Sequence, residues 1–496
     1  MKPKCLLFVS LLLSCVSAAF SQIALNPRAS RFLGQPNLEY ATVNPNWVDG
    51  REFYYPQGVV LDTSTSPPGI YVADTGNNRV MAWKNATGFT NGQPADLIIG
   101  QPDAFSTAPG GGSSTFSTGL NQPVGLAVLN GDLFVADTGN NRILRYRSPL
   151  SHQTGNIVPD LWLGQPSLTS KTANSAGSLG AQGLSLAGSQ SYLAFDSQAP
   201  PNLWVTDPGN NRVLRFPASS FSCSNCGSSG SNGAADTVIG QPNLTTTYTA
   251  LPNNQNSAVI GNQFNVPGGI AFDAAGRLYV TDNGVTAYPG RVLVFTPPFR
   301  PGGMAASRIM GVFSPSNPPT SNAQFFETVM SSPTGVFFFP DQSVGVTDSR
   351  SHRILVFPPF AQWPDPNTFY SPQATAVFGQ TTFLNVGANG AATTTTITPP
   401  PSAGTLFDPT NVFYLKSANE LYLADTLNNR VTVLQVFPNN DTLGNATRVL
   451  GQDRFNTGSI NLIEGREFAF VTGASSNQAI ADAAIAIDST GSVPHL

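Results

Sequence analysis

The sequence predicts an all-β fold, a β-propeller of four-stranded antiparallel blades with six complete units and a partial seventh. Three observations carry this prediction. A segment of the type YVADTGNNRV (Tyr71–Val80) occurs six times at matching places in a longer unit, and short apolar runs flank each copy. No heptad pattern or long amphipathic helix intervenes, so the period excludes a helical solenoid.

Each unit offers four strands in a fixed order. An apolar run such as Pro56 to Asp62 predicts a buried first strand, and the YVAD segment predicts the second. A Thr-Gly-Asn-Asn turn follows, in which glycine and asparagine tolerate a positive φ. A third strand such as Arg212 to Phe216 and a fourth such as Leu97 to Ile99, ending in Gly-Gln-Pro, complete the unit. Four antiparallel strands per unit make a propeller blade.

An aspartate and an arginine flank the turn in all six units. A catalytic site needs one constellation, whereas a sixfold copy marks something that every blade requires. We therefore interpret each pair as a charge-assisted hydrogen bond that fixes the hairpin or its neighbour. The pairs are Asp74 with Arg79, Asp137 with Arg142, Asp207 with Arg212, Asp282 with Arg291, Asp348 with Arg353 and Asp425 with Arg430.

These residues resemble the NHL-repeat β-propeller family, and the copies ending in ADTGNNR match its consensus. The resemblance covers residues 31–455 and implies a six-bladed propeller of TolB-like architecture, of an exported bacterial type with enlarged repeats. Residues 456–496 then begin a further repeat that is not completed, which suggests a truncated chain. A seven-bladed parent, or a further domain after Leu496, stays open.

The first 21 residues have the anatomy of a signal peptide: two lysines, an apolar run from Cys5 to Val16, and small residues before Gln22. The mature chain would be secreted, periplasmic or held at the cell surface. Lipoprotein anchoring at Cys15 is the alternative to simple cleavage. No later segment reaches the roughly 20 apolar residues of a transmembrane helix.

Cleavage would leave two cysteines, Cys223 and Cys226. In an oxidising compartment a CxxC pair predicts a small local disulfide or two free thiols, since nothing nearby supplies further zinc ligands.

Charged residues make up 10% of the chain and the net charge is -4. This composition gives no basic footprint for phosphate, so nucleic acid is not an expected partner. The surface must instead be rich in Ser, Thr, Asn, Gly and Pro, and we expect a monomer.

The motifs assign no catalytic residue and no cofactor, because the chain lacks a G-x-S-x-G elbow, a Walker loop and an H-E-x-x-H pair. The propeller resemblance implies one alternative, a calcium-dependent hydrolase or lactonase that uses the central tunnel. Weak calcium candidates at the first-to-second-strand turns are Asp62, Asp196, Asp273 and Asp341. Aspartate is also a common turn-forming residue, which is the more ordinary explanation.

The leading hypothesis is a non-catalytic binding scaffold for a protein or a carbohydrate. Strand direction alternates within a blade, so the DTGNNR turns must share a face with the long links between blades. Polar loops on a rigid scaffold are where binding usually resides.

Overall fold

The computed structural model describes residues 48–112, 118–155, 157–177, 179–188, 190–222, 233–248, 251, 259–284, 289–313, 320–367, 370–393, 398–437 and 442–460. These residues form six four-stranded antiparallel sheets, each with its strands in sequence order. The predicted all-β class and the four-stranded blades are confirmed. The predicted signal peptide, Cys223, Cys226 and nearly all of the partial seventh repeat lie outside the described residues.

The strands of the blades follow the predicted pattern. They are β1 Pro56–Asp62, β2 Gly69–Asp74, β3 Arg79–Trp83 and β4 Leu97–Ile99 in blade 1; β5 Pro123–Leu129, β6 Asp132–Asp137, β7 Arg142–Tyr146 and β8 Leu161–Leu163 in blade 2; β9 Leu193–Phe195, β10 Leu203–Asp207, β11 Arg212–Phe216 and β12 Thr237–Ile239 in blade 3; β13 Val266–Phe272, β14 Leu278–Asn283, β15 Arg291–Phe295 and β16 Arg308–Met310 in blade 4; β17 Pro333–Phe338, β18 Val344–Asp348, β19 Arg353–Phe357 and β20 Ala376–Phe378 in blade 5; and β21 Pro409–Leu415, β22 Glu420–Asp425, β23 Arg430–Phe437 and β24 Thr442–Leu450 in blade 6.

Helical structure in the described residues is confined to the loops. Two short α-helices occur, α1 Asn174–Gly177 and α2 Asn322–Thr328. Single 3₁₀ turns occupy Thr75–Asn77, Pro109–Gly112, Thr138–Asn140, Pro149–Ser151, Pro208–Asn210, Ala218–Ser220, Ser349–Ser351, Phe360–Gln362, Ala388–Gly390 and Thr426–Asn428. None of the described helices is both long and apolar enough to cross a membrane.

The hydrophobic core is divided into six clusters, each lying between two neighbouring blades. The first strands face the axis, and each contacts the first strand of the next blade, including β21 with β1. At that junction the Thr426 hydroxyl donates to the Pro56 carbonyl at 2.7 Å, and the Tyr55 N–H donates to Asn429 Oδ1 at 3.0 Å. Six complete units therefore close the ring.

The second-to-third-strand turns differ in detail from the prediction. Each described turn is one 3₁₀ turn, and only its last residue takes the left-handed conformation, as Asn78 does with φ +54°. The glycine serves close approach instead, because a Cβ on Gly76 would lie 2.5 Å from the Tyr54 ring. His352 occupies the left-handed position in blade 5.

The Gly-Gln pair after each fourth strand also has a clear role. The six glycines have φ between +84° and +91°, which favours glycine: Gly100, Gly164, Gly240, Gly311, Gly379 and Gly451. The following glutamine holds the turn, since Gln101 Nε2 donates to the Asn78 carbonyl at 2.9 Å. Blade 4 has valine at this place.

Candidate functional site

The six Asp–Arg pairs are buried ion pairs. In each, the arginine Nε donates to aspartate Oδ2 over 2.6 to 3.0 Å. Every side chain in the pairs is 0% or 1% exposed. A ligand in solvent therefore has no access to these groups.

Each pair also ties the turn to the links between blades. In blade 3, Asp207 Oδ1 accepts from the Ser185 N–H at 2.7 Å. The Arg212 guanidinium donates to the carbonyl oxygens of Leu244, Gly180 and Gly183 at 2.9 to 3.0 Å. The polar atoms of the pair thus hold the turn itself and fasten it to neighbouring segments of the chain.

The four calcium candidates lie in four separate turns on the opposite face. Asp62 Oδ1 accepts from both the N–H and the hydroxyl of Ser64. Asp341 accepts the Ser343 N–H on Oδ1 and the Ser343 hydroxyl on Oδ2. Asp273 bonds Arg277 within its own turn, and Asp196 accepts from the Trp204 indole at 3.0 Å. Among the described residues, no group of three or more His, Cys, Asp or Glu side chains is placed to hold a metal ion.

The central tunnel is crossed by a tyrosine. Tyr192, directly before the first strand of blade 3, is 2% exposed. Its hydroxyl lies 3.5 Å from the Gln57 carbonyl of blade 1 and hydrogen-bonds Thr410 of blade 6, the blade opposite its own. Burial raises the pKa of the Tyr192 phenol, which stays neutral. The tyrosine therefore fills the space that a small ligand in the tunnel would need.

Glycines draw the first strands close together around this tyrosine. A Cβ on Gly58 would lie 1.9 Å from the Val124 carbonyl oxygen, and one on Gly269 would lie 2.0 Å from the Thr334 carbonyl oxygen. Side chains at these places would push neighbouring blades apart. The tunnel is consequently narrow where these strands meet.

The side chains that differ between blades surround the tunnel mouth on the face of the DTGNNR turns, called here the upper face. Tyr55, Gln122 and Asp408 each precede the proline that begins a first strand, and each is left-handed, with φ between +49° and +59°. Their N–H groups bond the preceding blade: Gln122 N–H donates to Asn78 Oδ1 at 2.9 Å. These residues were not predicted from the sequence, although the x-Pro step marks their position.

On one side of the mouth, Asp408 and His352 meet. The Asp408 N–H donates to His352 Nδ1 at 3.0 Å, which requires Nδ1 to be unprotonated. Burial lowers the pKa of His352, and the nearby carboxylates, Asp408 first, oppose that change. Burial raises the pKa of Asp408, against the effects of Ser349, His352 and Arg350.

A cavity of about 600 Å³ lies at the mouth across blades 1 to 3 and is called here the mouth cup. The described residues that line it are all uncharged. They are Tyr54, Tyr55, Gln57, Thr75, Gly76, Asn78, Pro109, Asn121, Gln122, Val124, Thr138, Gly188 and Gln190. A second cavity of about 750 Å³ lies on the opposite face between blades 3 and 4, with Arg215 and Phe299 in its wall.

One buried carboxylate stands apart from the repeat pattern. Glu52 is 1% exposed and lies at the junction of blades 6 and 1, where its backbone pairs with Gly451. Oε2 accepts from the N–H groups of Asp49 and Arg51, while Oε1 has no hydrogen-bond partner in the described part of the chain. Burial raises the pKa of Glu52 to about 7, and the charge of Asp49 adds to the effect.

A family profile described as NHL repeat matches residues 120–146. This span contains three strands of blade 2 and its turn. The chain is a six-bladed β-propeller with an NHL repeat. The other five blades repeat the same Asp–Arg bond and strand order.

Solved structures similar to this chain include virginiamycin B lyase from Staphylococcus aureus, at 12% identity and a TM-score of 0.37, covering 80% of this chain and 85% of that one. The periplasmic gluconolactonase of Pseudomonas aeruginosa has 10% identity and a TM-score of 0.40, with 82% and 87% covered. A PQQ-bound aldose sugar dehydrogenase from Streptomyces coelicolor has 14% identity and a TM-score of 0.39, with 81% and 95% covered. A comparison with curated proteins found no match.

Proposed function

We propose that this NHL propeller is an exported, non-catalytic binding scaffold for a protein or a carbohydrate ligand, which it engages through its upper face. One observation carries the proposal. The Asp–Arg pairs that every blade repeats are buried and hydrogen-bonded to each other, whereas side chains unique to single blades surround the open mouth. A repeated framework that presents unequal surface groups is the arrangement expected of a recognition surface.

The tunnel supports the same proposal. Tyr192 crosses it, and the four candidate carboxylates sit in separate turns where each already accepts hydrogen bonds. Calcium would need six to eight oxygen ligands gathered at one point. Export is inferred from the composition of residues 1–21.

Charged substitutions on the two faces test the proposal. Phe105 and Leu384 lie in upper-face links and are 54% and 50% exposed, while Val158 and Phe437 lie on the opposite face and are 61% and 48% exposed. We expect a double Phe105→Arg, Leu384→Arg variant to lose retention on immobilised cell-envelope material from the producing organism. The double Val158→Arg, Phe437→Arg variant should be retained like the parent.

If the Val158→Arg, Phe437→Arg variant lost retention and the Phe105→Arg, Leu384→Arg variant did not, binding would lie on the opposite face and the upper-face assignment would be wrong. Turnover of a lactone or an ester by purified protein that carries stoichiometric calcium, and that stops when the calcium is removed, would overturn the scaffold proposal itself.

A further inference from the structure

The chain enters blade 1 through residues 48–55, called here the entry segment, and an equivalent step precedes the first strand of every blade. In this step the repeated arginine donates from Nη2 to a backbone carbonyl, as Arg79 does to the Glu52 carbonyl at 3.0 Å. The equivalent carbonyls in blades 2 to 6 belong to Gly119, Gly183, Gln263, Val329 and Thr405. Of these six described positions, only the one in blade 1 carries a side chain that can ionise.

The surroundings of the Glu52 carboxyl group are poorly suited to a charge. The side chain is 1% exposed, and its Oε1 has no hydrogen-bond partner in the described part of the chain. Oε2 accepts from the N–H groups of Asp49 and Arg51 at 3.0 and 3.3 Å. Those two donors favour the ionised form, whereas burial away from water opposes it.

The charged groups on the same side of the junction already have partners. Arg51 Nε lies 4.0 Å from Glu52 Oε1, but the same guanidinium donates to both oxygens of Asp49 at 2.5 to 3.1 Å. Arg79 bonds Asp74 through Nε and the Glu52 carbonyl through Nη2. Two carboxyl groups thus share Arg51, and the charge of Asp49 opposes ionisation of Glu52.

Blade 6 closes the other side of the site. The backbone of Glu52 pairs with Gly451, directly after β24, and a Cβ on that glycine would lie 2.2 Å from the Phe53 ring. The Asp453 carboxylate, two residues further along, lies against Gly92 instead. The entry segment is therefore packed tightly onto blade 6 at the point where the ring closes.

The two residues after Phe53 carry this packing to the mouth. The Tyr54 N–H donates to Asp74 Oδ1 at 2.7 Å, and the Tyr55 N–H donates to Asn429 Oδ1 of blade 6 at 3.0 Å. Both tyrosines line the mouth cup. A change in how the entry segment is held would therefore alter the shape of the upper face.

We propose that the entry segment is a pH-sensitive latch: protonated Glu52 holds it against blades 1 and 6, and ionisation of Glu52 releases it, together with Tyr54 and Tyr55, from the mouth. Burial raises the pKa of Glu52 from 4.5 to about 7, and the charge of Asp49 adds to the effect. The latch is therefore held most firmly at low pH and loosens as the pH rises through 7. This inference goes beyond the binding function and does not depend on it, because it concerns the protein without a ligand.

Hydrogen–deuterium exchange of the full chain, read by mass spectrometry at pH 6 and pH 8 and corrected for the intrinsic exchange rate, tests the latch. We expect the protection of the peptide containing Tyr54 and Tyr55 to fall about tenfold between these pH values, as a pKa of about 7 allows. Blade 2 supplies an internal control, because the Asn121 and Gln122 N–H groups make the equivalent two bonds at 2.7 and 2.9 Å. The peptide containing them should keep its protection.

Two variants separate the role of Glu52 from a general effect of pH. Glu52→Gln cannot ionise, so the protection of its entry segment should be the same at pH 6 and pH 8. Asp49→Asn removes the neighbouring charge and leaves Arg51 available to Glu52, so the midpoint of the fall should move to lower pH. This second variant keeps the test decisive if Glu52→Gln does not fold. Circular dichroism at both pH values establishes that each variant is folded.

Equal protection of Tyr54 and Tyr55 at pH 6 and pH 8 in the parent would refute the latch. A fall in Glu52→Gln like that of the parent, or an unshifted midpoint in Asp49→Asn, would refute the role of Glu52. A parallel fall in the blade 2 peptide would show that pH acts on the whole ring, which contradicts a local latch. The retention assay for upper-face binding is separate, so failure of either proposal leaves the other standing.

Discussion

Strand β11 carries two arginines that test whether the repeated ion pair holds the propeller together. Arg212 is 0% exposed and pairs with the equally buried Asp207, while Arg215, three residues later, is 25% exposed and pairs with the 41% exposed Asp236. We compare Arg212→Met with Arg215→Met. Methionine keeps an unbranched apolar stem, so each change removes mainly the charged head group.

The expected free-energy changes differ several-fold. Arg212→Met leaves Asp207 buried without its cation and removes the donors to the Leu244, Gly180 and Gly183 carbonyls. Breaking a buried pair in this way costs about 3–5 kcal/mol. Arg215→Met loses an exposed pair, which contributes about 1 kcal/mol or less.

Guanidinium unfolding followed by tryptophan fluorescence measures both variants against the parent. A cost for Arg212→Met within about 1 kcal/mol of that for Arg215→Met would refute the reasoning. The pH adds a second check. Burial raises the pKa of Asp207 and Arg212 opposes this, so without Arg212 the carboxyl should protonate more readily. The gap between the variants should therefore narrow as the pH falls.

Four further predictions concern Glu52, Gly240, His352 and calcium. Burial raises the pKa of Glu52 from 4.5 to about 7 in the folded protein. The folded parent should therefore gain up to about 3 kcal/mol of stability as the pH falls from 8 through 7 to 4.5. Glu52→Gln should abolish that gain in unfolding titrations. Gly240→Ala should cost about 2 kcal/mol or more of stability in the same assay, because φ is +89° and a Cβ would lie 2.2 Å from the Phe264 ring. Gly188→Ala is the control: its φ is +76° but a Cβ would meet open space, so only the backbone strain of about 1–2 kcal/mol is expected. Because burial lowers the pKa of His352, the unfolded chain binds the proton more readily than the folded one, and the fold loses stability below pH 6.5. His352→Asn should therefore lose less melting temperature than the parent between pH 7 and pH 5. An equal loss of melting temperature in both proteins would contradict this. Extensive dialysis against a calcium chelator should leave the melting temperature unchanged. A stoichiometric loss of calcium together with a lower melting temperature would contradict the interpretation of the four turn aspartates as hydrogen-bonded turn residues that hold no calcium.

The propeller was predictable from sequence because its signals are local and repeated. The Asp–Arg spacing, the Gly-Gln step and the buried apolar runs each recur with the same chemistry, so one copy explains the others. The assignment of the left-handed residue was less accurate, since Gly76 and Asn78 both tolerate positive φ and only the contact with Tyr54 distinguishes them.

The mouth of the propeller was not predictable in the same way. Tyr192 reaches Gln57 over 135 positions of sequence, and the mouth cup gathers side chains from three blades. Such contacts depend on the closed ring and leave no periodic trace. The x-Pro step at the start of the first strand, present in every blade but blade 3, locates the mouth residues, but their side chains differ from blade to blade.

The side-chain contact that links each turn to the following blade bears on how the ring would come apart. Asn78, Asn141, His352 and Asn429 each accept an N–H from the next blade, which includes the junction where the two ends of the ring meet. Between blades 4 and 5 the Ser332 hydroxyl donates to Asn283 Oδ1 at 2.9 Å instead. Within the described residues the junction of blades 3 and 4 has no such side-chain contact, and the 750 Å³ cavity lies there. The junction of blades 6 and 1 therefore has the same contact as its neighbours, and under a pulling force or after circular permutation the ring should open between blades 3 and 4 rather than between blades 6 and 1.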